Sequence, residues 1–342
     1  MQEDFTCLKT KVLFASDFAS LAHIIGELGN DTLWVCDSNT ARMVRPLPAP
    51  NVIIEPGETS KSLANAERIL KTAAEAKLTK SSVFIALGGG VVCDLTKFAA
   101  SIYMRGCSLV FVPTTLLAMA DASIGGNSGI NYMSTKNLIG SVYPADSVII
   151  CPDLLKTLSD YEFTNGLAEI IKHAVISENK ELFKILISKN NKIVERDKDV
   201  VTSIIRESLL AKKTFLENDN ILPLKLGHEF AHAFEGMKHL SCPEGQALAW
   251  GVCKAVEISA AKGICTQQYA QSIIMLFNLY GYKTDFKISR SDWIEFRDII
   301  TRNKRNLGDK VKYVLIQEDG KCVLDTVEDD LLKKIIIVGA ES

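Results

Sequence analysis

The apolar positions in the first part of the chain fall into short continuous runs, each closed by a polar or glycine-rich break. Thr32–Cys36 ends at Asp37-Ser38-Asn39, and Asn51–Ile54 stops at Glu55-Pro56-Gly57-Glu58. Val83–Leu87 enters three glycines, Ser108–Val112 enters Pro113-Thr114-Thr115, and Ser147–Cys151 is a further run. Runs of this length and content read as buried strands. Between them the period changes. Leu63, Ala66, Ile69, Leu70 and Ala73 follow helical spacing, with Ser60 or Ser62 placed to cap the start, and Val91–Met104 is a second helical stretch. Strands alternating with helices predict a parallel sheet covered by helices.

After Pro152 the texture is helical. The spacing predicts helices over Tyr161–Ile176, Lys180–Lys189, Asp199–Glu217, Leu224–Met237, Glu244–Lys262, Thr266–Tyr280 and Asp292–Lys304. One hairpin interrupts them, Val311–Ile316 with Cys322–Leu324 around Asp319-Gly320. The expected organisation is therefore an α/β domain over residues 1–155 and a mainly helical domain over 156–342.

Composition narrows the class without choosing a function. The 342 residues are 47% hydrophobic and 23% charged, and a net charge of −2 gives no reason to expect a nucleic-acid or membrane partner. No apolar run reaches the roughly 18 residues that span a bilayer, and the start MQEDFTCLKTK does not read as a secretory signal. Nine cysteines without a C-x-x-C pair suit reduced thiols, buried as small hydrophobes, in a cytoplasm.

Three stretches carry candidate chemistry. Gly88-Gly89-Gly90 joins a strand to a helix, with Asp94 in the helix that follows; this is a tight turn or a phosphate cradle, and it is not the G-x-G-x-x-G fingerprint. His228 and His232, two of the five histidines, share one helix face at i and i+4. Glu169 sits among apolar residues one turn before Lys172, as a structural ion pair or as a metal-ligating carboxylate beside an ammonium.

With these in place the chain resembles the 3-dehydroquinate synthases of the sugar-phosphate cyclase superfamily. The resemblance covers roughly Asp37 to Leu324 and rests on PGETSK, GGGVVCD, YMRG, PTTLLAMADASIGG, GIN, KNLIG, LLKTL, GLAEIIKH, GHEFAHAFE and EGQALAWG in one order. It implies a Rossmann-like NAD-binding domain followed by a metal-binding helical domain, with one divalent metal and a cytoplasmic homodimer. The metal would be zinc, with cobalt or manganese as alternatives. It implies NAD contacts from Asp37, Asn39, Glu58, Lys61, Gly89, Gly90, Asp94, Thr114, Thr115, Lys136 and Thr157. It implies metal ligands at Glu169, His228 and Glu244. Asp121, Lys172, Lys212 and His232 would be catalytic, and Asn137, His232, Lys304 and a partner-directed Arg105 would hold the substrate phosphate. The implied reaction belongs to aromatic biosynthesis: a seven-carbon keto acid phosphate becomes 3-dehydroquinate by oxidation, phosphate elimination, reduction and aldol closure.

The chain departs from the family pattern at three points. Asn127 and Ile221 stand where family members usually carry the Lys and Arg that grip the substrate carboxylate, with Lys225 nearby. Glu244 stands at a ligand His position, which makes a harder donor set; His239 is a candidate substitute. Three other readings stand beside the synthase: a sibling cyclase whose substrate lacks a carboxylate, such as one making an inosose, a metal-dependent polyol dehydrogenase, and a non-catalytic binding relative.

Overall fold

The computed structural model describes residues 4–133, 135–237, 242–303 and 311–338. The chain divides into two compact units, Met1–Phe163 and Thr164–Ser342. The sequence places the boundary near residue 155; the division in the structure falls a few residues later, inside a helix.

The first unit is a seven-stranded sheet. In chain order its elements are β1 (Phe5–Cys7), β2 (Thr10–Phe14), α1 (Phe18–Gly26), β3 (Thr32–Asp37), β4 (Asn51–Ile54), α2 (Leu63–Glu75), β5 (Val83–Gly88), α3 (Gly90–Ile102), β6 (Ser108–Pro113), β7 (Asn127–Tyr132), β8 (Thr135–Val142) and β9 (Ser147–Ile150). The sheet order is β1-β2-β9-β6-β5-β3-β4, parallel except for the β1–β2 pair, while β7 and β8 form a separate antiparallel hairpin. Phe84, Ile85, Ala86 and Leu87 are all buried, as a strand covered on both faces requires. Ser62 caps α2 by accepting the amide of Asn65, and Ala66, Ile69 and Ala73 form its buried stripe.

The second unit takes over within α4 (Asp160–Ile176) and continues through α5 (Glu181–Ser188), α6 (Asn190–Val194), α7 (Lys198–Glu217), α8 (His228–Gly236), α9 (Glu244–Ala261), α10 (Gln267–Leu279), α11 (Trp293–Asn303), β10 (Lys312–Ile316), β11 (Cys322–Thr326) and α12 (Asp329–Ile336). α9 is buried around most of its circumference and forms the centre of this unit. Its Trp250 is fully buried, donates Nε1–H to the Phe286 carbonyl at 2.7 Å, and stacks on Phe234. No described helix is long and apolar enough to cross a membrane.

Two sequence expectations change. The helix expected over Leu224–Met237 begins only at His228: Gly227 takes φ +78°, and a short 3-10 turn, Pro223–Lys225, precedes it. No strand is expected between β6 and β9, but Asn127–Tyr132 and Thr135–Val142 form the β7–β8 hairpin, whose small and polar residues carry little strand signal.

Candidate functional site

In the first unit the expected nucleotide contacts gather at the carboxyl ends of three adjacent parallel strands. Asp37 closes β3, Gly88 closes β5 and Thr114 follows β6; the registers Cys36–Leu87 and Gly88–Pro113 set these ends side by side. Ligands of open α/β sheets bind outside this edge. The Asp37 carboxylate orders its own turn, accepting the amides of Asn39 at 2.9 Å and Thr40 at 2.8 Å. Thr40 ties that turn to β5 through the Leu87 carbonyl at 2.9 Å.

The glycines differ in what surrounds them. A Cβ at Gly88 would strike Val92, and one at Gly89 would meet Thr115 Cγ2 at 2.9 Å, so these two are required by packing. A Cβ at Gly90 would meet nothing within 4 Å. Gly90 opens the first turn of α3, so an anion can approach the helix amides there, where the backbone partial charge is positive. A dinucleotide phosphate suits this open helix start. Thr114 donates its amide to the Gly88 carbonyl at 3.0 Å, and Thr115 Oγ1 accepts the amide of Ala118 at 3.2 Å.

The polar groups beside this edge are strongly engaged. Lys61, buried, holds Asp94 at 2.6 Å. Glu58 accepts from the Asn131 side chain at 2.8 Å, and Asn131 accepts the amide of Asn137 at 2.9 Å. Asn137 takes φ +51°, a left-handed backbone that asparagine tolerates. Asp94, Asn127, Ser128, Asn137 and Ser141 line an open groove of about 520 Å³, and among the described residues no Lys or Arg lines its wall. Asp121 sits in the turn Ala118–Ala122. Lys136, Thr157 and Arg105 are exposed, and Arg105 follows Met104 in a second consecutive positive-φ position (+64° after +47°).

In the second unit the predicted residues converge on Glu169. This buried carboxylate meets Lys172 Nζ at 2.5 Å, His228 Nε2 at 3.7 Å and His173 Nε2 at 3.9 Å. Lys172 is buried and also donates to the Leu224 carbonyl at 2.9 Å. The left-handed Gly227 delivers His228: a Cβ there would run into the backbone of Val252, so α8 and α9 approach closely only with glycine. His228 and His232 lie with ring centroids 5.5 Å apart. Two ligands at about 2.0–2.2 Å on one tetrahedral ion sit about 3.3–3.6 Å apart. The Glu169–His228 span is close to that, and a carboxylate with an imidazole suits Zn²⁺, Co²⁺ or Mn²⁺.

Glu244 is exposed in the first turn of α9; the neighbouring Gly245 amide donates to Asn165 Oδ1 at 2.5 Å. Gln246 is bonded at both ends of its amide to the backbone of Lys283. Lys212 is buried on α7. Lys304 and His239 lie outside the described residues. Two further buried residues carry weak sequence signals. His173 is one turn after Glu169 at i+4 and is held by Ser208 Oγ at 2.7 Å; its spacing from Glu169 was the available signal. Lys97, also buried, lies one turn after Asp94.

The architecture is shared with NAD- and metal-binding cyclases. The structure aligns with 2-deoxy-scyllo-inosose synthase crystallised with carbaglucose-6-phosphate, NAD+ and Co²⁺, at TM-score 0.82 and 22% identity over 95% of this chain and 96% of that one. It aligns with 2-epi-5-epi-valiolone synthase from Streptomyces hygroscopicus with NAD+ and Zn²⁺ bound, at TM-score 0.84 and 20% identity over 98% of each chain. The family of 3-dehydroquinate synthase N-terminal domains matches residues 51–165, and that of the C-terminal domains matches 166–306. The chain is 39% identical to the 3-dehydroquinate synthase of Dictyoglomus turgidum over 84% of its own length and 82% of the relative's. It is 36% identical to that of Alkaliphilus metalliredigens over 79% and 76%. The chain belongs to the 3-dehydroquinate synthase family.

Proposed function

We propose that the chain is a 3-dehydroquinate synthase, a phosphate-eliminating lyase that converts 3-deoxy-D-arabino-heptulosonate 7-phosphate to 3-dehydroquinate and phosphate as a homodimer. The observation that carries this reading is the 39% identity to a 3-dehydroquinate synthase across most of both chains. The site geometry adds support in each unit.

Gly89, Gly90, Thr114 and Thr115 would hold NAD at the strand ends with Asp37 and Asn39. Glu58, Lys61, Asp94, Lys136 and Thr157 complete the set. Glu169, His228 and Glu244 would hold the divalent ion. When bound, the nicotinamide supplies a reversible hydride acceptor and the ion a Lewis acid.

The chain's own residues do the rest. Lys172 Nζ, fixed between Glu169 and the Leu224 carbonyl, is a buried positive charge that stabilises a developing alkoxide without reorganising. Asp121 and Lys212 would surround the reacting hydroxyls. Asn137, His232, Lys304 and the partner-directed Arg105 would bind the leaving phosphate, with His232 able to hold a proton at its imidazole. Burial of Glu169, Lys172 and His173 keeps water from that side of the carboxylate.

A second reading, a sibling cyclase acting on a sugar phosphate without a carboxylate, is favoured by one observation. Among the described residues, the wall of the groove containing Asn127 offers hydroxyls, amides and the Asp94 carboxylate but no cation to a substrate carboxylate. The test is phosphate release from the heptulosonate phosphate and from glucose 6-phosphate, with NAD+ and Zn²⁺ or Co²⁺ supplied. Turnover of the carboxylate-bearing substrate supports the synthase; turnover of glucose 6-phosphate alone replaces it with the sibling activity.

A further inference from the structure

Lys97 is only 1% exposed and lies on α3, one turn after Asp94. Its ammonium donates to the Asn127 carbonyl at 2.8 Å and the Ala122 carbonyl at 3.4 Å. It stands 3.8 Å from Asp94 Oδ1 and 5.1 Å from the centre of the Phe111 ring. The Asp94 carboxylate is thus shared, with Lys61 on its other oxygen at 2.6 Å.

The two carbonyls that accept from Lys97 bracket a weak point of the backbone. Ala122 ends the turn that carries Asp121, and Asn127 begins β7. Between them lie Gly125 at φ +101° and Gly126 at φ +78°, the conformations least able to hold a chain in place by themselves. One buried cation with several fixed acceptors supplies that constraint, and the low polarity around it strengthens each bond. Two of the groups it touches, Asp94 and Asn127, line the groove.

We propose that Lys97 is a positioning residue. Its ammonium ties the Asp121 turn and the start of β7 to α3, so that the residues facing the groove hold one arrangement. The role in turnover rests on the cyclase reading; the tether itself does not.

Lys97→Met tests both parts. Methionine fills nearly the same buried volume and leaves Asp94 its pair with Lys61. The expected variant is folded, binds NAD+ within about 3-fold of wild type, and loses about 30–100-fold in kcat while KM moves less than about 3-fold, the pattern of a misplaced reacting group. Amide hydrogen exchange across residues 123–130 should quicken by about ten-fold or more while β5 and β6 keep their protection. Lys97→Gln, which retains an uncharged amide donor group, should fall between the two, and it takes the same measurements if the methionine variant does not fold. A folded variant with unchanged exchange overturns the tether. A lowered melting temperature with kcat and KM intact overturns the positioning role. If wild type itself shows no turnover, the cyclase reading fails and hydrogen exchange alone decides the tether.

Discussion

His173 Nδ1 stands 2.7 Å from Ser208 Oγ, and neither side chain has any exposure to solvent. The bond joins α4 to α7 and aims the opposite ring nitrogen, Nε2, at Glu169, 3.9 Å away. Partners of this kind orient a ligating carboxylate and tune its donor strength. Ser208→Ala should lower unfolding free energy by about 1–3 kcal/mol and weaken Co²⁺ binding by about ten-fold. Denaturant unfolding and calorimetric metal titration check the two effects separately. A variant that loses stability with unaltered Co²⁺ affinity makes His173 a packing residue only.

Gly227 is irreplaceable for two reasons acting together. Its φ of +78° is unfavourable for side-chain-bearing residues, and its missing Cβ is where the Val252 backbone passes. Gly227→Ala should destabilise by about 2–4 kcal/mol, the sum of a left-handed penalty and overpacking. Because His228 follows directly, metal affinity should fall with it. Unfolding in urea with unchanged midpoint would contradict this account of the α8–α9 approach.

Glu244 is the ligand we propose where the family pattern carries a histidine. With Glu169, a second carboxylate would make a harder donor set than one carboxylate with two imidazoles, and would reduce the ion's power to acidify a bound hydroxyl. Glu244→His should therefore bind Zn²⁺ about ten-fold or more tightly relative to Mn²⁺. Competitive titration of the two ions reads the ratio. No change in that ratio removes Glu244 from the ligand set.

Buried and half-buried thiols should lower the stability of the fold at alkaline pH. Burial pushes Cys36 and Cys242 up to about 11, and Cys93, Cys107 and Cys322 up to about 12, from an ordinary value of 9.0. The native chain then keeps protons that the unfolded chain releases above about pH 9, so stability is full below that pH and falls as it rises towards 11–12. Tyr269, Tyr280 and Tyr313 are raised by burial and add in the same direction. Lys180, lowered by desolvation, works the other way, but it is one group against many. Urea unfolding from pH 7 to 10.5 should show a falling midpoint above pH 9, with slow alkylation of the native thiols at pH 8.5. A flat or rising midpoint above pH 9 contradicts it.

Much of this molecule is legible in its sequence because the physics is local. Val83–Leu87 can be little other than a buried parallel strand, and the glycines after it announce a turn into a helix. The β7–β8 hairpin was not legible, because Asn127–Val142 is rich in Gly, Ser and Asn and lacks the alternation that marks a strand. The left-handed break at Gly227 was hidden inside an apparently continuous helical pattern. α12 escaped because its eight residues are few for a periodic signal, although Leu332 and Ile336 form a buried stripe. At the site, Glu169 and the histidine pair stood out by residue type and spacing. Lys97 and His173 did not, since their importance lies in partners distant in sequence: Asn127 and Phe111 for one, Ser208 for the other.

A redox-neutral ring closure fixes the ratio of its products. Purified chain with NAD+, a divalent metal and 3-deoxy-D-arabino-heptulosonate 7-phosphate should release one phosphate for each 3-dehydroquinate formed, with no net gain of NADH. Absence of phosphate release with metal and NAD+ supplied, or NADH accumulating in step with substrate consumed, would contradict it.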